Sequence, residues 1–365
     1  MKINILLPYK EKFDENKASS VSITVRNNLL YSNYLNQIKI FGQNVKKPFF
    51  KDNFVGLKYS ILSFKSKNKF LAHEMLKIIT RDIDKNQLIE IHNRPYLLEK
   101  ITKEEKFPIT LFFHNDPQTM KGSKSIKDRE NILEKCAAIF CVSEYIKNKF
   151  IQGINGDIKK IHVLYNGVER KLIRFPVKNK EVLFVGRLVP EKGVHFYVEA
   201  LKLIANKHPE WRFGLIGSFR LGDNENKNSY VDEVTEKFKS IGSQAKFYGF
   251  QDNRFVQEKM KSASIIVIPS LWQEPFGLVA AEAMSNGICI IASKVGGIPE
   301  IVESNGILIN NINHEKLAEK IDHLIQNDNL RKIYQGKAWK NFKFSSKLSS
   351  KRLDNFRKII ISNFV

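Results

Sequence analysis

Two glutamates stand eight positions apart in a stretch whose pattern changes from strand to helix. Glu274 follows the apolar run 265–268, which is typical of a buried strand, and Glu282 lies in an Ala-rich run that ends at Gly287. This pattern predicts a helix that starts near 275–276. The first amides of a helix lack internal partners and carry partial positive charge. The sequence therefore predicts a seat for a phosphate at this helix end.

The residues at this helix start predict a ligand that has both phosphates and hydroxyls. The amides of Phe276, Gly277 and Leu278 would bind a diphosphate, and Gly277 has no side chain to keep the ligand from the backbone. On a continuous helix, Glu274 and Glu282 lie about 80° apart around the axis, so both could face that ligand. A sugar nucleotide combines these groups. The alternative is an ordinary helix with a solvated Glu282.

The spacing Glu274-x7-Glu282, with Pro-Phe-Gly after the first glutamate, resembles the signature of retaining glycosyltransferases of family 4. Three further segments share the likeness, namely 165–168 (YNGV), 185–193 (VGRLVPEKG) and 295–302 (VGGIPEIV). The resemblance is dense from about 164 to 308 and sparse before that. It implies a nucleotide-diphosphate sugar as donor, with a UDP-sugar expected and a GDP- or ADP-sugar as alternatives. It implies no cofactor, and the sequence has no cluster of metal ligands.

Strands alternate with helices through both halves of the chain, which predicts two α/β/α domains with parallel sheets. The resemblance implies the GT-B fold, in which two Rossmann-like domains face a central cleft. We predict an acceptor-binding domain over 1–167, with the final helix 348–365 packing back on it. A nucleotide-sugar-binding domain is predicted over 168–347.

The resemblance also implies which residues contact the donor. Arg187 and Lys192 project from the loop after the strand 182–185, and in the family two such cations hold the diphosphate. Fixed cations stabilise the charge that develops on a leaving diphosphate without a metal. The alternative is ordinary surface charge. The resemblance further implies that Glu282 binds the ribose hydroxyls and Glu274 a sugar hydroxyl.

Gly249 and Phe250 follow a predicted strand in the region that binds the nucleotide base in the family, largely through backbone groups. His114 follows the strand 109–113, and the resemblance implies that a histidine here lies near the donor sugar. Neutral imidazole can hydrogen-bond a sugar hydroxyl. We count His114 with Glu274 and the two cations as the catalytic group.

The acceptor residues are predicted from the ends of other strands. Asp116 could accept a proton from an acceptor hydroxyl. Asn93 and Arg94 follow the strand 88–91, where ligands bind in open α/β sheets, although a structural turn is an equal alternative. Ser19 and Ser20 stand where the family often has paired glycines, and their hydroxyls are candidates to bind a phosphate.

The chain of 365 residues has a formal net charge of +22 and a pI of about 9.7. An anionic membrane surface attracts such a protein, and solvated charge is the alternative. The segment 46–66 mixes lysines with aromatic residues, which suits a membrane interface or a glycolipid acceptor, or else a loop with core aromatics. Nucleic acid is not expected, because no recognition motif occurs.

Other features of the sequence predict a cytoplasmic location. The three cysteines are odd in number and form no CxxC, which indicates buried thiols in a reducing compartment. The first apolar run is too short for a signal peptide, and no run approaches the length of a membrane span. We predict a cytoplasmic protein that can lie peripherally on the inner face of the membrane.

Together these features predict a retaining glycosyltransferase that moves a sugar to a saccharide or glycolipid acceptor. Cell-envelope polysaccharide synthesis, such as that of a lipopolysaccharide core, would supply such acceptors. The alternatives are a GT-B relative with another reaction, such as a sugar-nucleotide epimerase or a phosphorylase, and a non-catalytic polyanion-binding protein. The sequence does not identify the sugar or the linkage.

Overall fold

The computed structural model describes residues 2–59, 66–82, 86–104, 107–219 and 228–363. The chain divides into two compact units. Unit 1 comprises Met1–Gly167 and Phe344–Val365, and unit 2 comprises Val168–Lys343. Within the segment 46–66, positions 60–65 lie outside the described residues.

A parallel sheet forms the centre of unit 1. Its strands are β1 (Lys2–Leu6), β2 (Ile38–Gln43), β3 (Phe54–Leu57), β4 (Gln87–His92), β5 (Ile109–Phe113), β6 (Ala138–Cys141) and β7 (Ile161–Val163). Their order is β3-β2-β1-β4-β5-β6-β7 and every pairing is parallel. The central strands β4 and β5 are buried along their whole length, as expected for a sheet covered on both faces.

Helices cover this sheet. They are α1 (Ser20–Leu29), α2 (Lys67–Thr80), α3 (Leu98–Glu104), α4 (Ile126–Lys135), α5 (Glu144–Ile151) and, at the C-terminus, α13 (Ser346–Ser362). Several begin at a serine whose hydroxyl accepts a hydrogen bond from a first-turn amide. Ser143 does so for α5 and Ser345 for α13. Such caps satisfy amides that have no partner inside the helix.

A buried ion pair connects α13 to the middle of the unit 1 sheet. The Arg357 guanidinium donates to both carboxylate oxygens of Glu90 on β4, at 2.8 Å each. Both side chains are 1% exposed, and Asp354 also accepts from Arg357 at 3.1 Å. Loss of one member of such a pair would leave an uncompensated buried charge. The pair therefore fixes the position of the C-terminal helix within unit 1.

Unit 2 has a second parallel sheet. Its strands are β8 (Asn179–Val185), β9 (Arg212–Ile216), β10 (Ala245–Gly249), β11 (Ala263–Ile268), β12 (Cys289–Ser293) and β13 (Ile307–Ile309). Their order is β10-β9-β8-β11-β12-β13, and the chain reverses its direction across the sheet between β8 and β11. A crevice forms at the carboxyl ends of strands at such a switch point. In unit 1 the corresponding reversal lies between β1 and β4.

The helices of unit 2 surround its sheet. They are α6 (Val194–Ile204), α7 (Ser229–Lys239), α8 (Asn253–Ser262), α9 (Leu278–Ser285), α10 (Ile298–Val302), α11 (His314–Gln326) and α12 (Asp328–Lys340). Tyr197 and Trp211 are the largest apolar side chains buried in this core, and the Tyr197 hydroxyl donates to the carbonyls of Val182 and Gly214. A buried hydroxyl is tolerated because it has these partners.

The predicted α/β class with parallel sheets is confirmed, while some element bounds differ. The apolar pattern from 21 to 36 predicts one helix, but α1 ends at Leu29 and residues 35–37 form a separate turn of 3-10 helix. The short edge strand β3 and the helix α12 were not predicted, because neither shows a regular apolar period. In the described ranges, no helix has the length and apolar character needed to cross a membrane.

Three aromatic residues of the segment 46–66, namely Phe49, Phe50 and Phe54, pack inside unit 1. The Phe13 ring lies 5.3 Å from Phe49, 6.4 Å from Phe50 and 5.7 Å from Phe54, and Phe13 is fully buried. Phe13 belongs to the core cluster of unit 1, and the other three rings are partly buried and pack against it. The structure therefore favours core aromatics over an exposed membrane interface for the described part of this segment.

Candidate functional site

The loops after β8 and β11 meet at the switch point of the unit 2 sheet. Gly193 has φ +66°, and a Cβ there would lie 1.9 Å from the Pro269 carbonyl oxygen. The amides of Leu271 and Trp272 both donate to the Glu191 carbonyl, at 2.9 and 3.1 Å. Only glycine permits this approach of the two backbones. The two loops are thus held together.

An ion pair joins these loops. The Lys192 ammonium binds Oε1 of Glu274, and the Ser270 hydroxyl donates to the same oxygen at 2.8 Å. Both charged side chains are largely buried. In the described part of the chain, Oε2 of Glu274 has no hydrogen-bond partner. The site therefore presents a fixed cation beside a carboxylate oxygen that can accept from a ligand.

The helix after this loop starts later than predicted. It begins at Leu278, and Gly277 precedes it with φ +100°, so the prediction of a start near 275–276 is wrong. The amides of Gly277, Leu278 and Val279 donate to no acceptor in the described chain. Phe276 is buried. The predicted anion seat would therefore lie at the N-terminus of α9, with the free amides shifted toward Val279.

Glu274 lies outside α9, so the angle of about 80° between the two glutamates on one helix does not apply. Glu282 lies in the second turn of α9, and only a part of this residue is exposed to solvent. Burial raises the pKa of Glu282 to about 7. Its carboxyl group has no hydrogen-bond or ion-pair partner in the described ranges. A buried carboxyl without a partner gains stability from a ligand that donates hydrogen bonds to it.

The paired glycines after β12 support the Glu274 loop. A Cβ on Gly296, which has φ +54°, would lie 2.1 Å from the Glu274 carbonyl oxygen. The Gly297 amide donates to that oxygen at 2.7 Å, and the Gly296 amide donates to the Gln273 side chain at 2.9 Å. This loop therefore fixes the backbone of Glu274.

The other predicted donor residues lie on the same edge of the unit 2 sheet. Arg187 follows β8 and is exposed. Gly249 ends β10 with φ +65° and open space around it, and its carbonyl accepts from the Gly217 amide at 2.9 Å. Phe250 follows it and is partly exposed. Arg187 lies at the switch point itself, whereas Gly249 and Phe250 lie near a ligand seated there only if the ligand extends across β9.

His114 lies at the carboxyl end of β5 in unit 1, where two neighbouring residues fix it. Its amide donates to Oδ1 of Asn93 at 2.9 Å, and its Nε2 lies 2.9 Å from Nδ1 of His92. Burial lowers the pKa of His114 to about 3, so its imidazole is neutral at physiological pH. His92 was not among the predicted residues. Its place at the end of a buried strand, just before Asn93, was the available signal.

Ser19 and Arg94, two of the predicted acceptor residues, both act on the Glu11 carboxyl group of unit 1. Asn93 is buried with φ +55°, and its carbonyl accepts from the Arg94 guanidinium at 2.6 Å. Ser19 donates to the Glu11 carboxylate and also caps α1. Burial raises the pKa of Glu11, and Ser19 and Arg94 oppose that shift. Glu11 was not predicted.

Asp116 and Ser20, which were also predicted to bind the acceptor, each lie at the start of a helical segment. Asp116 caps the turn Pro117–Thr119, where its Oδ1 accepts from the Gln118 amide at 2.8 Å. Ser20 is the exposed first residue of α1. In the described ranges, no group of three or more His, Cys, Asp or Glu residues could hold a metal ion.

Comparison with known proteins finds one family model that matches unit 2. Residues 168–340, a little under half of the chain, match the family model described as Glycosyl transferases group 1. The spore coat protein SA of Bacillus subtilis is 29% identical over 265 residues, which cover 67% of this chain and 70% of that protein. An uncharacterized glycosyltransferase of Methanocaldococcus jannaschii is 36% identical over 196 residues, or 53% of this chain and 51% of that protein.

A third relative is a lipopolysaccharide 1,2-N-acetylglucosaminetransferase of Salmonella typhimurium, which is 28% identical over 172 residues. That alignment covers 44% of this chain and 45% of that protein. The alignments thus span 45% to 70% of the lengths of the three relatives. At the level of this domain, the predicted glycosyltransferase class is confirmed.

Solved structures share the fold over nearly the whole chain. HepE of Anabaena in complex with UDP matches with a TM-score of 0.75 at 20% identity, over 98% of this chain and 100% of that one. Sucrose-phosphate synthase of Thermosynechococcus elongatus matches with a TM-score of 0.80 at 18% identity, over the full length of both chains. The predicted GT-B class, with two Rossmann-like α/β units, is therefore confirmed.

Proposed function

We propose that the chain is a retaining glycosyltransferase whose donor is a nucleotide-diphosphate sugar, because residues 168–340 match the Glycosyl transferases group 1 model. One observation supports this proposal above the others. At the switch point of the unit 2 sheet, the largely buried ammonium of Lys192 follows β8, and the free amides at the N-terminus of α9 follow the neighbouring strand β11. This is the chemistry that recognises a diphosphate.

The diphosphate binds between Lys192 and the amides of Gly277, Leu278 and Val279, and Arg187 reaches it from the loop after β8. Glu282 accepts hydrogen bonds from the ribose hydroxyls, which satisfy its unpartnered carboxyl group. Oε2 of Glu274 accepts from a hydroxyl of the sugar. No metal takes part in this scheme, because the lysine, the arginine and the helix amides supply the positive charge.

The reaction moves the sugar from the diphosphate to an acceptor hydroxyl with retention at the anomeric carbon. As the bond to the diphosphate breaks, negative charge grows on the oxygen atoms that face Lys192, so the fixed ammonium stabilises the transition state more than the ground state. The acceptor oxygen attacks on the face that the diphosphate leaves, and its proton passes to a leaving phosphate oxygen.

UDP is the proposed nucleotide, with GDP and ADP as alternatives. Support comes from the fold shared with HepE, whose structure was solved with UDP. A thermal-shift panel of UDP-, GDP- and ADP-sugars tests this choice, because stabilisation follows RT ln(1 + [L]/Kd). We expect the UDP-sugars to raise the melting temperature most. No shift with any nucleotide sugar would contradict the proposed function.

The proposed acceptor is a saccharide or glycolipid of the cell envelope, with the chain lying peripherally on an anionic membrane surface. Support comes from the net charge of +22, from the similarity to the Salmonella transferase, and from a segment of unit 2. In this segment Ile173 and Val177 are 95% and 87% exposed, and Lys171 and Arg174 lie beside them. Apolar side chains flanked by cations suit an interface with anionic lipid.

Liposome sedimentation tests the membrane proposal. We expect the chain to sediment with vesicles that contain anionic phospholipid and to remain in solution with neutral ones. The double change Ile173→Ser and Val177→Ser should weaken sedimentation, whereas Leu203→Ser, at another exposed apolar position, should not. Equal sedimentation with both kinds of vesicle would refute a role for the basic charge.

A further inference from the structure

The hydrogen bond between His92 and His114 in unit 1 has a defined geometry. Nδ1 of His92 lies 2.9 Å from Nε2 of His114, the ring centroids are 5.1 Å apart and the ring planes differ by 22°. Two nearly coplanar rings with this centroid distance are joined edge to edge, so the N–H of one ring points along the lone pair of the other. One ring must donate and the other must accept.

The surroundings of His92 decide which ring donates. Its Nε2 is fully buried and has no hydrogen-bond partner, and its ring stacks on Phe112 with a centroid distance of 4.3 Å. If His114 donated, His92 would carry its proton on Nε2, and an N–H group would be buried without a partner. Orphaned buried N–H groups are rarer than orphaned acceptors, and each costs free energy. Donation from His92 leaves only an acceptor lone pair on this buried nitrogen without a partner, which is the less costly of the two arrangements.

We infer that His92 is a positioning residue that sets the tautomer of His114. His92 carries its proton on Nδ1 and donates to Nε2 of His114, so His114 carries its own proton on Nδ1. That nitrogen has no hydrogen-bond partner in the described part of the chain and is not fully buried. His114 therefore presents an N–H donor of fixed direction to a ligand. The second anchor of its direction is the bond from its amide to Asn93.

The ligand class follows from this donor. A neutral N–H group binds a lone pair on a sugar hydroxyl or ring oxygen and does not transfer a proton to it. The identity of the ligand rests on the proposed function, whereas the tautomer does not. His92 acts through His114 and needs no contact with the sugar itself. The expected cost of losing the correct tautomer is a slower reaction at unchanged nucleotide affinity.

Two substitutions separate the donor role of His92 from its packing role. In His92→Asn the amide nitrogen takes nearly the place of Nδ1 and can still donate to His114. His92→Phe keeps a ring against Phe112 but cannot donate. The tautomers are read by long-range proton–nitrogen NMR correlation on the full chain labelled with 15N-histidine, with the signals assigned by substitution of single histidines.

We expect the parent chain and His92→Asn to show His114 protonated at Nδ1 and bare at Nε2. His92→Phe should lose this preference. His114 protonated at Nε2 in the parent chain would overturn the inference, and so would an unchanged tautomer in His92→Phe. If His92→Phe does not fold, the parent chain and His92→Asn still decide.

Steady-state kinetics provide a second test of the inference. The donor is the nucleotide sugar that raises the melting temperature of the chain most. We expect His92→Phe to lower kcat about tenfold or more while the affinity for UDP stays unchanged, and His92→Asn to stay within about threefold of the parent. Equal kcat for the two variants would count against the positioning role. If no nucleotide sugar is turned over, the proposed function fails, and the NMR result still decides the tautomer.

Discussion

Replacing Glu282 with glutamine should stabilise the folded chain and weaken its hold on a nucleotide. Burial raises the pKa of Glu282 from 4.5 to about 7, and no partner in the described ranges offsets that burial. Each pKa unit corresponds to about 1.4 kcal/mol. Ionising Glu282 in the folded chain therefore costs about 3 kcal/mol above pH 7, and glutamine has the same shape without this charge.

The sign of the effect follows from proton binding. Below pH 4.5 the carboxyl group is protonated in both the folded and the unfolded chain, so the variant and the parent should be equally stable. Between pH 4.5 and 7 the folded chain binds more protons, so the unfolding free energy of the parent falls as the pH rises. The advantage of Glu282→Gln should be about 1 kcal/mol at pH 5.5 and about 3 kcal/mol at pH 8.

Thermal unfolding of both proteins at pH 5.5 and pH 8 measures this advantage, since about 1 kcal/mol shifts the melting temperature of a domain of this size by about 2–4 °C. The matched control is Glu258→Gln, whose side chain is exposed on α8 and whose advantage should be near zero at both values. An advantage of Glu282→Gln that is absent at pH 8, or that does not grow with pH, would refute the reasoning. The affinity of Glu282→Gln for a nucleotide should fall, because a neutral amide accepts more weakly from the ribose hydroxyls than a carboxylate does.

Three further perturbations follow from the contacts. Lys192→Ala should lower kcat by about a hundredfold or more, whereas exposed Lys202→Ala should leave it unchanged; steady-state kinetics with the best donor decide. Gly193→Ala places a Cβ 1.9 Å from a backbone oxygen and should lower the free energy of unfolding, measured in urea, by at least about 2 kcal/mol. Gly336→Ala, which has open space around it in α12, should raise the free energy of unfolding by up to about 1 kcal/mol. Equal unfolding midpoints for the two alanines would contradict the close approach of the loops. Arg357→Met leaves a carboxylate buried without its partner and should cost about 3–5 kcal/mol at neutral pH, and a stable variant there would show that the pair is not needed.

The parallel sheets and their loops could be predicted because each depends on local sequence. Apolar runs of four to six residues predicted buried strands, and the residues at their carboxyl ends predicted where ligands bind. Lys192 and Glu274 follow two such strands, and the structure brings them into contact. Chain order alone does not say that β8 and β11 are neighbours in the sheet. The resemblance to a known family supplied that step.

The start of α9 could not be predicted because distant contacts decide it. Gly277 adopts a left-handed conformation, and a Cβ there would meet the Ile298 side chain at 3.0 Å. The loop at Gly297 holds the backbone of Glu274 in its place. Helix propensity alone favours an earlier start. Tertiary packing therefore determines where α9 starts, whereas the local sequence predicted only that a helix follows β11.

The role of His92 also depends on a contact between two strands. Its sequence neighbours predict only a histidine at a strand end, and its partner His114 lies 22 positions away. A single sequence contains no sign that the two rings meet. Similarly, the aromatic residues near Phe49 resemble a membrane segment until their packing on Phe13 is known.

A crystal structure of the chain with UDP tests the central claim most directly. We expect the diphosphate to contact the Lys192 ammonium and the amides of Gly277, Leu278 and Val279, with the ribose hydroxyls on Glu282. The claim would be contradicted if UDP bound elsewhere while this seat stayed vacant, or if Glu282 pointed away from the bound ribose.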